Sequence, residues 1–130
     1  MKIHIIGGGN LGVAIGLGFK QFTNHSITIT RRNVAAINDL KSLDISVSSN
    51  NLEGIDAADV IILAIKPFQT DTVIEEILPY IEGKILASAV SGYSLEMLEK
   101  NTQNRVEIVR IMPNIAIQFG ESATCISYSK

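Results

Sequence analysis

Three consecutive glycines directly behind a short strand-like run constrain this chain more than any other feature. The run Lys2 to Ile6 stops at Gly7-Gly8-Gly9-Asn10-Leu11-Gly12, a G-x-G-x-x-G pattern. Behind it Leu11, Ala14, Ile15, Gly18, Phe19 and Phe22 recur at helical spacing, one continuous stripe suited to lie on a sheet. Strand, glycine turn and amphipathic helix in direct succession predict the first βα unit of a doubly wound α/β fold. In such a unit Gly7 takes the tight turn, Gly9 keeps a Cβ away from an approaching pyrophosphate, and Gly12 lets the helix pack close to the strand. Gly18 permits close contact further along the stripe. The free N–H groups of the first helical turn and the helix dipole then supply an anion site, so the segment predicts dinucleotide binding.

The rest of the chain repeats the alternation. Ser26 to Thr30 predicts a second strand, Asn33 the cap of a helix carrying Val34, Ile37 and Leu40, and Ile45 to Ser48 a third strand. Val60 to Ile65 is the near-unbroken apolar run of a central parallel strand covered on both faces. Pro67 opens a helix with the stripe Val73, Ile74, Ile77, Leu78 and Ile81; Pro79 bends or ends it, and Gly83 stops it before a strand from Lys84 to Val90. Ser94 caps a helix around Leu95 and Leu98. Val106 to Ile111 is a sixth strand, Met112-Pro113-Asn114 breaks it, and Ala123 to Tyr128 alternates as a last strand able to run antiparallel at the edge. The prediction is a Rossmann sheet of six parallel strands in order 3-2-1-4-5-6 with a C-terminal edge strand.

At 130 residues and 46% hydrophobic, the chain suffices for one packed core, and residues 1–130 read as one dinucleotide-binding domain. A formal net charge of -2 without like-charge runs argues against nucleic acid as a partner. The opening run is too short for a signal sequence, and no apolar run approaches a membrane span. The lone Cys125 excludes an internal disulfide and any Cys/His zinc cluster, suits a reducing cytoplasm, and reads as a small buried apolar residue. His4, inside a strand, and His25, in a turn, read as packed or solvated rather than catalytic. No catalytic residue and no metal site are expected.

The end of the second strand specifies the ligand further. NAD-binding domains of this type usually place an Asp or Glu there to accept from the ribose hydroxyls. Here the position reads Thr30-Arg31-Arg32-Asn33, and no acid occurs between Thr23 and Asn38. A carboxylate that would repel a 2′-phosphate is missing, and two guanidiniums that could grip it are present, so NADP(H) is expected in preference to NAD(H).

With Asn51, Ala58-Asp59-Val60, Ala64-Ile65-Lys66-Pro67, Ser91-Gly92, Val109 to Asn114 and Gly120 to Thr124 following in order, the chain resembles pyrroline-5-carboxylate reductase along essentially all its length. The resemblance implies that Asn51 contacts the adenosine end and that Ala64, Ile65, Lys66 and Pro67 flank the nicotinamide ribose. It further implies that Ser91, Gly92, Met112, Pro113 and Asn114 border the nicotinamide and the substrate. Gly7, Gly9, Asn10, Leu11, Gly12, Arg31 and Arg32 complete the expected cofactor set. The implied reaction is hydride transfer from NADPH to the imine carbon of 1-pyrroline-5-carboxylate, giving L-proline, with the cofactor carrying the chemistry.

In that family a helical second domain makes the dimer and binds the cyclic imine; the chain stops at Lys130 before it, so the isolated chain is expected to be inactive and the longer enzyme a homo-oligomer. One departure stands out: the family usually continues Met-Pro-Asn with Thr-Pro, and this chain has Ile115-Ala116. Two alternatives therefore remain open. One is another NADP-dependent reductase, related to the deazaflavin-dependent NADP oxidoreductases or the hydroxyacid dehydrogenases. The other is a non-catalytic NADP(H)-binding or sensor module.

Overall fold

In the computed structural model, which describes residues 1–129, the first unit forms where the glycines require it; the domain's expected end at Lys130 lies outside the described residues. Strand β1 (Lys2–Ile6) leads through the glycine turn into helix α1 (Asn10–Phe22), then to β2 (Ser26–Thr30). A 3₁₀ helix, Val34–Leu43, connects to β3 (Ser46–Ser48). The second half runs β4 (Val60–Leu63), a 3₁₀ turn Pro67–Gln69, α2 (Thr70–Ile77), β5 (Ile85–Ser88), α3 (Leu95–Asn101) and β6 (Glu107–Met112). A 3₁₀ segment, Ile115–Phe119, then leads to β7 (Cys125–Tyr128). The sheet order is β3-β2-β1-β4-β5-β6-β7. The first six strands are parallel, and β7 alone runs antiparallel, Arg110 facing Ser127. This is the predicted order with the predicted edge strand.

Side-chain alternation divides the core between the two faces of the sheet. Ile3, Ile5, Ile27, Ile29 and Ile62 pack with Ile15 of α1 on one face. Ile6, Ile61, Leu63, Leu86 and Ile108 pack with Val73, Ile74 and Ile77 of α2 and Leu98 of α3 on the other. Because every central strand is buried on both sides, β4 needs its unbroken apolar run.

Several local expectations are corrected. The third, fourth and fifth strands are shorter than their apolar runs: Ala64 and Ile65 lie beyond β4, where the chain turns away toward the α2 side. Asn33 precedes the 3₁₀ helix without a side-chain cap bond, since its backbone (φ -89, ψ 80) is not in the extended form that aims a capping oxygen back at the helix. Phe22, the last residue of α1, is exposed, its ring lying beside Gly120 rather than on the sheet. The close contact expected at Gly18 is present, with the Ile117 carbonyl, where a Cβ would come within 2.5 Å; the glycine that seats α1 on the sheet is Gly16, against the Ile29 side chain. Cys125 is exposed, not buried, as are all four residues of β7, over which no layer packs among the described residues. Ser94, by contrast, caps α3 as expected, accepting from the Met97 N–H at 3.2 Å. No helix among the described residues is long and apolar enough to cross a membrane.

Candidate functional site

The glycine loop is locked by its own backbone. Gly7 has φ +112, and a Cβ there would lie 2.3 Å from the Ala64 carbonyl oxygen. A Cβ on Gly12 would lie 1.8 Å from the Gly7 carbonyl oxygen, so α1 begins folded directly against the turn that launches it. Gly9 is different: a Cβ there would meet nothing within 4 Å. Its absence leaves open space over the helix start. The first helical bond runs from Val13 N–H to the Gly9 carbonyl at 3.0 Å, and the N–H groups of Asn10, Leu11 and Gly12 take no partner among the described residues. No side chain caps α1 and no acid occupies its first turn. A bare, positively polarised helix start beside an open space fits a pyrophosphate.

At the end of β2 the Arg31 side chain lies over Gly8, and its Nη1 donates to the Gly8 carbonyl at 2.9 Å. That bond ties one guanidinium to the glycine loop while leaving donors free, since arginine carries five. Arg31 and Arg32 are both exposed, and neither joins the one ion pair among the described residues, Lys20 with Asp44.

Next to them Asn51 is held at three points. Its Oδ1 accepts from the Thr30 hydroxyl at 2.7 Å, its Nδ2 donates to Glu76 at 3.0 Å, and its carbonyl lies 2.8 Å from His4 Nε2. A carbonyl only accepts, so His4 carries its proton on Nε2. Burial pushes the His4 imidazole below its ordinary value, and the bond to the Asn51 carbonyl works in the opposite direction. His4 is therefore a neutral brace beneath the loop, its Nδ1 buried without a partner among the described residues. His25, half-buried and away from the cleft, has its Nδ1 3.3 Å from the amino terminus and its ring tilted against Phe19 at 6.2 Å between centroids.

These parts border one open cleft of about 1420 Å³ along the carboxyl ends of the strands. Of the expected residues it brings together Gly7, Gly9, Asn10, Leu11, Arg31, Arg32, Asn51, Ala64, Ile65, Lys66, Pro67 and Ser91. Pro67 opens a 3₁₀ turn, and the Lys66 N–H donates to the Gln69 side chain at 3.2 Å, which fixes the corner between β4 and α2.

Five expected residues stand off the cleft wall. Gly12 is buried behind the loop it supports. Gly92 belongs to the turn before α3. Met112 is the last residue of β6, and Pro113 and Asn114 follow it, the Asn114 Oδ1 accepting from the Ala116 N–H at 3.0 Å; their neighbour Ile115 reaches the wall instead. Sequence reasoning missed Thr30 and the α2 face bearing Thr72, Val73 and Glu76. The signal was available: Gln69, Thr72, Val73 and Glu76 obey the i, i+3, i+4, i+7 rule on one side of that helix.

Residues 2–92 match the family model described as NADP oxidoreductase, coenzyme F420-dependent. The chain belongs to that family. Within it the chain is similar to pyrroline-5-carboxylate reductase 1 of Dictyostelium discoideum, 36% identical over 96% of this chain and 23% of that protein. It is similar also to pyrroline-5-carboxylate reductase of Aquifex aeolicus, 31% identical over 98% of this chain and 48% of that protein. Among solved structures, 1-pyrroline-5-carboxylate reductase from Streptococcus pyogenes superposes with TM-score 0.83 at 31% identity, covering 99% of this chain and 49% of that one. The chain thus spans half or less of the length of these relatives. The family model covers the glycine loop, both arginines, Asn51, the Lys66-Pro67 corner and Glu76, which is most of the cleft wall.

Proposed function

We propose that residues 1–130 form the NADP(H)-binding domain of an oxidoreductase acting on C=N groups, similar to pyrroline-5-carboxylate reductase. The observation that carries the cofactor choice is the end of β2, where two exposed arginines outside any described ion pair stand where an NAD-type domain would present a carboxylate. The names of the relatives carry the choice of reaction. In this reading the first turn of α1 and Gly9 hold the pyrophosphate, Arg31 and Arg32 hold the 2′-phosphate, and Asn51 holds the adenosine end. Ala64 to Pro67 orient the nicotinamide ribose, and Ser91 and Ile115 border the reacting end.

The reduced cofactor, when bound, supplies a hydride. This chain supplies position and charge: backbone donors and guanidiniums fix the ligand along the cleft, while the apolar Ile65 and Ile115 reduce water at its far end. The cyclic imine, the homo-oligomer and a cytoplasmic setting belong to the same proposal, with the imine bound jointly with the half of the relatives that this chain does not span. Ile115 on the cleft wall supports a second reading, a related reductase for a different imine; a substrate screen on the longest natural reading frame containing this chain separates the two.

The cofactor test is a fluorescence titration with NADPH and NADH, repeated on Arg31→Ala and Arg32→Ala. A charge-assisted hydrogen bond contributes about 1.5–3 kcal/mol, so losing one costs roughly tenfold to a hundredfold in NADPH affinity and leaves NADH nearly unchanged. Equal affinity of the parent chain for the two nucleotides would refute the assignment.

A further inference from the structure

Among the described residues lining the cleft there is one carboxylate, Glu76 of α2, and nothing in the nucleotide reading uses it. In a cleft for a multiply charged anion a carboxylate is unfavourable unless it faces a donor. Glu76 accepts from Asn51 Nδ2 at 3.0 Å, and Asn51 is in turn bonded to Thr30 at the end of β2, so Glu76 lines the same cleft as the two arginines. It is exposed, so its other lone pairs remain available. One turn earlier on the same helix Thr72 and Val73 line the same wall, giving a partly apolar flank beside the polar pair. Asn51 still has one Nδ2 hydrogen to give, since its NH₂ carries two and Glu76 takes one, and with its Oδ1 bonded to the Thr30 hydroxyl the amide is held in this orientation. An acceptor and an amide donor side by side match an amine next to a ring nitrogen, the edge that adenine presents and that a 6-oxopurine inverts.

We propose that Glu76, together with Asn51, reads the 6-substituent of the purine, accepting from an amine and rejecting a 6-oxo group. Glu76 is then a specificity-determining residue of the adenosine end, a role that rests on the nucleotide reading above.

The test compares NADPH with reduced nicotinamide hypoxanthine dinucleotide phosphate in binding titrations on the full chain. The parent is expected to bind the amino form about tenfold more tightly, the loss expected when one charge-assisted hydrogen bond becomes a repulsion at an exposed site. Glu76→Gln keeps an acceptor for Asn51 but can also donate, so it should bring the ratio close to one while still binding NADPH. Equal binding of both nucleotides by the parent, or an unchanged ratio in Glu76→Gln, would overturn the proposal and leave the nucleotide reading standing. Binding of neither by the parent would overturn both.

Discussion

Replacing Gly9 by alanine separates the two demands that can put a glycine in this loop, the fold's and the ligand's. Gly9 has φ -79 and ψ -169, extended backbone open to any residue, and an added Cβ would meet nothing within 4 Å. At a helix start, alanine is worse than glycine by roughly 0.5–1 kcal/mol, while the loss of glycine's freedom in the unfolded chain returns about 0.4–1 kcal/mol. Stability should therefore move by less than about 1 kcal/mol. The new methyl occupies the open space over the bare N–H groups of α1. Losing one charge-assisted bond there costs about 1.5–3 kcal/mol, roughly tenfold to a hundredfold in Kd for NADPH. Gly12→Ala is the control, since its Cβ would lie 1.8 Å from the Gly7 carbonyl oxygen and must displace the loop. It should lose about 1–3 kcal/mol of stability together with binding. Thermal melts without ligand and NADPH titrations on both variants supply the four numbers. Gly9→Ala binding NADPH like the parent, or melting as far down as Gly12→Ala, would refute the reasoning.

Two further outcomes are expected from the core. His4 is held neutral by burial, so the unfolded chain, with an imidazole near 6.5, binds more protons than the folded one; stability is full above about pH 6.5 and falls as pH drops below it. Thermal midpoints at pH 7.5 and 5.5 should differ more in the parent than in His4→Gln, which keeps a donor for the Asn51 carbonyl and does not titrate; equal differences would count against the buried neutral imidazole. Ile5 of β1 is 0% exposed, so Ile5→Ala should cost about 2–5 kcal/mol, read as a lower urea midpoint with an unchanged slope.

Much of the architecture was legible because it depends on local pattern. The strand-glycine-helix junction fixes a βα unit, the unbroken run from Val60 fixes a strand covered on both faces, and the right-handed crossover rule leaves few possible orders for the remaining strands. Arg31 and Arg32 were legible for the same reason: a motif position just past the end of a strand needs no knowledge of the rest. Cys125 was misread because its burial depends on whether any layer covers β7, which no feature of Ala123 to Tyr128 encodes. Gly18 does make a close contact, but its partner, the Ile117 carbonyl, was not legible because helical periodicity identifies a face, not the distant 3₁₀ segment that packs on it.

The sequence by itself determined the fold class and the glycine turn, which depend on spacing within a few residues, and with the crossover rule it determined the strand order. Only the tertiary structure decided that Asn51 is held by His4, Thr30 and Glu76, residues 47, 21 and 25 positions away. It likewise decided that Ile115, rather than Met112 to Asn114, reaches the cleft. The physical reason is that a hydrogen bond between distant segments depends on sheet register and helix docking, which the whole core sets at once.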